Sequence, residues 1–248
     1  MEYDQIFKGR AARYFHATTK YPTALAEEFR TAVRVLDLKR GHRLLNIPAA
    51  AIHIAGFLPA GVIHHQIETC KEFAVAAGVP HGPWAPLPFP TGSLDRVLTL
   101  ASLHHSTKAQ RDAFYAEVFR ALKPGGKLVI GDVRRGSKES EWLNVFVHLF
   151  NSNGHRGNFF SKEDIGHLER AGFGGVQVSS EPYHWNFGRP SEMVEFCRNL
   201  FGLDLATDKD IEIGLVEYLH PLRPDRKSLE TKIPWELIYF VAIKPLVP

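Results

Sequence analysis

The sequence is poor in cysteine: Cys70 and Cys197 are the only two in 248 residues, and they lie far apart. That leaves no disulfide framework and no CxxC pair, which fits a reducing, cytoplasmic setting. Long apolar runs are missing as well, so no bilayer span and no membrane partner are expected. The opening stretch MEYDQIFKGRAARYF lacks the apolar core of a secretory leader. Charge of one sign is nowhere concentrated: 30 basic residues are scattered among 27 acidic ones, for a net charge of +3. The densest basic pieces, Arg134-Arg135 with Lys138 and Arg223 to Lys227, are short and read as solvated loops. No phosphate-tracking surface follows from them, and no nucleic-acid partner is expected. A GxxxxGK loop is absent, and the GlySer pairs at 92–93 and 136–137 stand outside a nucleophile elbow.

What is present is enough apolar residue, 44% of the chain, for one sizeable core. One domain over residues 1–248 is therefore expected. Apolar spacing predicts a helix over 21–38, a short buried strand at 42–47 and a second strand at 62–67. A helix at 68–77 stops at Gly78. The proline-rich PHGPWAPLPFPTGSLD that follows cannot be regular structure. A strand is expected at 96–103, a helix at 108–122 closed by KPGG, and a strand at 127–132 that is apolar on both faces. Strands alternating with helices to residue 132 argue for a parallel sheet between two helical layers, an α/β fold. Later, Ser161 with Asp164 reads as a capping box. A strand at 175–180 follows, then a long excursion with helical pieces at 192–200 and 208–218, and a last strand at 235–243. The excursion, about 183–232, is expected to be a helical cap.

The order LPFP, SLDRV, LHH, FRALKPGG, LVIGD and FFSKEDIGHLERAGF resembles the class I S-adenosylmethionine-dependent methyltransferases over about residues 30–180. The branch it is most similar to holds the ubiquinone and menaquinone methyltransferases. The resemblance implies a Rossmann-like sheet of seven mostly parallel strands whose last strand, 235–243, runs antiparallel. It also implies a cofactor site at the carboxyl ends of the first strands. Three features carry binding in that family: a D-x-G-x-G-x-G loop after the first strand, an acid ending the second strand that accepts the ribose hydroxyls, and an acid ahead of LPF.

Aligned on those features, the sequence departs at each one. LLNIPAAAI puts Asn46 at the acid of the loop, with Pro48, Ala50 and Ile52 on the three glycines. Proline removes an amide donor, and a branched side chain fills space that glycine leaves open. VIHHQI puts Gln66 at the ribose acid, and Pro83 falls on the third acid position. Hydrogen bonds to charged groups contribute roughly 1.5–3 kcal/mol each. Losing two carboxylates would then weaken cofactor binding by on the order of 10²–10⁴-fold.

The expectation is a methyltransferase fold with a degenerate loop and no conventionally bound cofactor. Such a protein would bind or transform a different small, largely apolar molecule. One alternative is an active small-molecule methyltransferase that holds S-adenosylmethionine atypically. Another is a non-catalytic pseudoenzyme acting as a binding or partner subunit in a homo- or hetero-oligomer. His105 is the candidate acid or base. Expected around a substrate are His104, Trp142, Phe146, His148, Tyr183 and Trp185. Thirteen histidines invite a metal, but His64 and His65 point to opposite faces of a strand and no HxH, HxxxH or CxxC spacing accompanies them. No metal ligand is assigned.

Overall fold

The computed structural model describes residues 7, 9–49, 52–223 and 228–246. The basic stretch 223–227 therefore lies largely outside the described residues, as does Ala50 of the loop. Helix α1 spans Ala11–Lys20 and α2 spans Ala26–Leu36. Phe29, Ala32 and Leu36 are spaced along one face of α2 and are buried, and the helix ends where Asp37 turns left-handed at φ 48°. Strand β1, Arg43–Asn46, follows, then a 3₁₀ turn at Ile52–Phe57, β2 at Ile63–Gln66 and α3 at Lys71–Ala77. Next come β3 at Leu94–Leu100, a 3₁₀ turn at Leu103–His105, α4 at Lys108–Ala121 and β4 at Leu122–Asp132. A capping box starts α4: the Thr107 side chain accepts from Gln110 N, and the Gln110 side chain accepts from Thr107 N.

A continuous helical stretch over 138–150, called the lid below, has three parts: α5 at Lys138–Glu141, a π turn at Trp142–Val147 and α6 at His148–Phe150. Ser161 and Asp164 do form the expected capping box, ahead of α7 at Ile165–Arg170. Strand β5 runs Gly174–Phe187, and the cap comprises α8 at Pro190–Leu200, α9 at Asp208–Gly214 and a π turn at Leu215–Leu219. Strand β6, Thr231–Ile243, closes the chain's regular structure.

The sheet order is β2-β1-β3-β4-β6-β5. The first four strands are parallel, and β6 inserts antiparallel between β4 and β5. The α/β architecture and the antiparallel last strand match the sequence reading. The count differs, with six strands in place of seven. Where a further edge strand would lie beside β2, only a single parallel bridge between Glu68 and His81 forms. The prolines of 80–90 explain this, because they remove ladder donors from the stretch that would have to pair. The cap also begins later than expected. Tyr183 and Trp185 belong to β5, paired with Trp235 and Ile233 of β6. KPGG, read as the stop of α4, forms the start of β4.

Alternating side chains serve opposite faces of the sheet. Leu44, Leu98 and Val129 join a core with α2, the lid and the cap; Leu45, Val97, Leu128 and Ile130 join one with α4 and α7. Both faces are covered, so the carboxyl edges of β1, β3 and β4 remain as the place for a cleft.

Candidate functional site

A cavity of about 130 Å³ opens at those carboxyl edges. Pro48 after β1 and Leu100 to Ser102 after β3 form its floor, with His104 and His105 at one end. Arg10 and Tyr14 of the N-terminal segment, Glu28 and Phe29 of α2, Val147 and His155 of the lid region, and Trp185 and Trp235 of the sheet complete the wall. Apart from the histidine end, Arg10, Glu28 and Ser102, the surroundings are mainly apolar and aromatic, as small-molecule clefts are.

The histidine end is tightly built. The turn Leu103–His105 follows β3 directly and is buried. Asp132, at the end of β4, accepts from His104 N at 3.1 Å, lies 2.7 Å from His104 Nδ1, and accepts from Val133 N at 2.7 Å. A carboxylate only accepts, so His104 Nδ1 carries a proton and Nε2 is the nitrogen turned away from Asp132. His155 arrives from the loop after the lid. Its Nδ1 is 3.0 Å from Asn144 Oδ1, which also accepts from Gly157 N at 2.7 Å, while Asn144 Nδ2 donates to Gly157 O at 3.2 Å. That pattern fixes the amide's orientation, so His155 Nδ1 is a donor and its Nε2 is the nitrogen turned away from Asn144. The His104 ring is 4.0 Å from His105 and 5.5 Å from His155, centroid to centroid, and His105 is 5.0 Å from His155. Burial, and then the neighbouring imidazoles, hold His105 and His155 well below the ordinary histidine range, so both rings are neutral. Gly157 has no room for a side chain: a Cβ there would sit 2.5 Å from the Phe159 ring and 3.1 Å from His104 Cδ2.

The opposite wall holds a buried acid. Glu28 Oε2 accepts from Tyr183 Oη at 2.7 Å and from Trp185 Nε1 at 3.1 Å. Burial pushes its carboxyl up to about 7, and the two donors pull the other way.

The cofactor positions named from sequence scatter. Pro48 lines the cavity. Asn46, at the end of β1, is fully buried, and both of its amide atoms lack a partner among the described residues. Gln66 is half-buried with Nε2 unpartnered, and Pro83 is exposed. The acid of this region is two residues beyond Gln66. Glu68 is fully buried after β2, accepts from Cys70 N at 2.9 Å, and stands three residues ahead of the first residue of α3. Gln66 does end β2, paired with Asn46 of β1, and Glu68 stands beside it as a second candidate at this edge. The signal that locates Glu68 was readable: it is the first acid after the strand, with a helix starting directly behind it.

Of the expected substrate contacts, His104 and Trp185 line the cavity. Trp142 and Phe146 instead stack on each other at 4.5 Å within the core between lid and cap, near Tyr218. His148 turns away to accept from His155 N at 3.0 Å. Tyr183 acts through Glu28. His155 and Asp132 were missed. Asp132 ends LVIGD and faces the LHH turn, whereas no spacing links His155, fifty residues on, to His104 and His105.

This architecture defines the protein's class: a Rossmann-like α/β domain with its cleft at the carboxyl edge and its last strand antiparallel. Residues 62–130 match the family described as "Methyltransferase domain". Among curated relatives, an uncharacterized methyltransferase of Synechocystis is 41% identical over 66 residues, covering 26% of this chain and 31% of that protein. The phthiotriol/phenolphthiotriol dimycocerosates methyltransferase of Mycobacterium leprae is 30% identical over 112 residues, covering 44% of this chain and 41% of that one. The matched stretches thus span well under half the length of these relatives. The fold resembles YcgJ of Bacillus subtilis with a TM-score of 0.62 at 17% identity, covering 88% of this chain and 99% of that one. It also resembles phosphoethanolamine N-methyltransferase 2 of Haemonchus contortus, solved with S-adenosyl-L-methionine, with a TM-score of 0.60 at 18% identity, covering 99% of this chain and 60% of that one. The match over residues 62–130 and the shared fold support a class I S-adenosylmethionine-dependent methyltransferase family for this chain. No helix among the described residues is long and apolar enough to cross a membrane.

Proposed function

We propose that the protein is an S-adenosylmethionine-dependent methyltransferase acting on a small, largely apolar acceptor, with an atypical cofactor site. The observation that carries this reading is Glu68. A buried carboxylate follows the second strand and sits just ahead of a helix, so the ribose acid that looked lost is supplied two residues later. Asn46 supports it, since a fully buried amide with neither polar atom paired is costly unless a ligand uses it. The fit extends to these two groups and stops at the loop, where Pro48 stands on a glycine position.

When bound, the cofactor supplies an electrophilic methyl group. The chain's own residues do the rest. Glu68 would accept from the ribose hydroxyls and Asn46 would donate to the amino-acid end. The apolar walls exclude water, and the histidine end receives the acceptor's heteroatom. Helix α1 bears on access: Tyr14 and Phe15, with Phe7, press on Phe73 of α3 at ring distances of 5.1 to 5.5 Å. Entry of a ribose to Glu68 requires α1 to swing away from Phe73.

Calorimetric titration with S-adenosylmethionine and S-adenosylhomocysteine tests the reading. Binding at tens of micromolar or tighter is expected, and Glu68→Gln should weaken it by about 10–100-fold, the loss of a hydrogen bond to a charged group. An absence of binding heat and of any thermal shift would sink methyl transfer and restore a cleft built for another ligand.

A further inference from the structure

We propose that His104, His105 and His155 form a transition-metal site that takes a zinc-like divalent cation, with its fourth position open to the apolar cavity. All three side chains are buried, and one ring nitrogen from each lies within 4.8 Å of the others. Three imidazoles at about 2.0–2.1 Å around a tetrahedral ion have nitrogens roughly 3.3 Å apart. His104 and His105 share the turn Leu103–His105 and His155 comes from a loop, so closing that difference requires small ring rotations about the hydrogen bonds to Asp132 and Asn144.

Chemistry beyond proximity selects a metal. In two of the imidazoles Nδ1 is held as a donor, which reserves Nε2 for a ligand bond. Asp132 fixes the proton on His104 Nδ1, and the Asn144 amide, oriented by Gly157, fixes the proton on His155 Nδ1. A carboxylate or amide oxygen behind an imidazole is how metal-binding histidines are oriented and made more basic. Asp132 also brings a negative charge that partly offsets the cation. Arg10, which lines the same cavity, directs its guanidinium at the Asn151 side chain. Neutral imidazole nitrogens suit zinc, copper, nickel or ferrous iron and disfavour magnesium or calcium. Phe7 and Phe159 wall the cluster, with ring centroids 5.1 Å from His105 and 5.4 Å from His104. With three protein ligands the fourth position is left for water or for a heteroatom in the cavity, the arrangement of metal centres that act on a substrate.

This inference does not depend on methyl transfer, and the two fail separately. Protein stripped with a chelator is titrated with Zn²⁺ by calorimetry, and with Co²⁺ while visible absorption is followed. One equivalent of each is expected, the cobalt form showing the intense bands of a tetrahedral site. His155→Ala should abolish this binding. Asn144→Ala, which keeps all three ligands, should weaken it by about 10–100-fold. The exposed His16→Ala should bind as the parent does. Less than one equivalent, or octahedral-type cobalt spectra, overturns the proposal. So does unchanged affinity in a folded His155→Ala protein, since that places the ion at other histidines. If His155→Ala fails to fold, Asn144→Ala decides: parent-like affinity there overturns the site.

Discussion

The two sides of the cleft differ in how many buried polar groups they leave unpaired: among the described residues Trp142 Nε1 and Tyr239 Oη lack a partner on the cap side, and more such atoms gather at the β1–β2 edge. On the cap side Glu28 holds Tyr183 and Trp185, and at the far end Asp132 takes three contacts. At the carboxyl edge of β1 and β2, Asn46 has two unpartnered amide atoms, and His64, His65 and Gln66 each leave a ring or amide nitrogen unpaired. A paired buried group explains itself within the fold. An unpaired one carries a desolvation cost of about 1–3 kcal/mol that folding alone does not return. That imbalance makes the β1–β2 edge the side on which the proposed cofactor reading depends, and the cap side the one on which stability depends, and each half of the comparison can be broken.

The largest effect is expected on the architectural side. Trp142 is fully buried, stacked at 4.5 Å on Phe146, and edge-on to Phe201 of the cap. Trp142→Ala should lose about 3–5 kcal/mol, removing both apolar transfer and packing. Urea unfolding measures it. A loss below about 1 kcal/mol would mean that lid and cap are not one cooperative core with the sheet.

Glu28 gives the next effect, and it depends on pH. Its folded carboxyl is raised from 4.5 to about 7. In an acid shifted this way, stability is full while both folded and unfolded carboxyls are protonated, below pH 4.5. It falls as pH climbs from there towards 7, because only the unfolded state ionises freely, and it levels off above. The gap corresponds to at most about 3 kcal/mol. Glu28→Gln should retain both donors' acceptor, flatten that stretch of the stability–pH curve and raise stability at pH 8. A parent curve that rises from pH 5 to 7 with no flattening in the variant would show that Glu28 is held ionised.

These two regions also differ in how far the sequence disclosed them. Parallel strands apolar on both faces and the Ser161–Asp164 box were legible, because period and capping chemistry are local; the antiparallel run of 235–243 came only from the family resemblance. The substrate contacts were half legible. WLNVFVHLF shows a helical stripe, but a stripe does not say whether Trp142 faces a ligand or the cap, and it faces the cap. Glu68 carries a local signal of its own, an acid three residues ahead of a helix, which the strand's apolar pattern does not mark. His155 had no local signal at all, since its neighbours in space come from a turn fifty residues earlier. Pairing between distant loops is set by the assembled core, which is where sequence periodicity stops informing.

The smallest effect is expected at Asn46 and tests the comparison most directly. Leucine has nearly the amide's shape, and the site lies in β1 beside Leu44 and Leu45, which are fully buried. If the amide is unpaired in the free protein, Asn46→Leu removes a desolvation cost and should raise stability by about 1 kcal/mol. The same substitution should abolish the amide's part in cofactor binding, so the gain in unfolding free energy and the loss in titration heat belong together. Asn46→Leu losing 1 kcal/mol or more would mean that water already pairs the amide. The β1–β2 edge would then be as self-sufficient as the wall around Glu28. A more stable variant that binds S-adenosylmethionine as the parent does would leave the orphaned amide real and move the cofactor's amino-acid end elsewhere. Greater stability together with weaker binding is the one outcome that keeps both halves of the comparison, because it separates a group retained for a ligand from one retained for the fold.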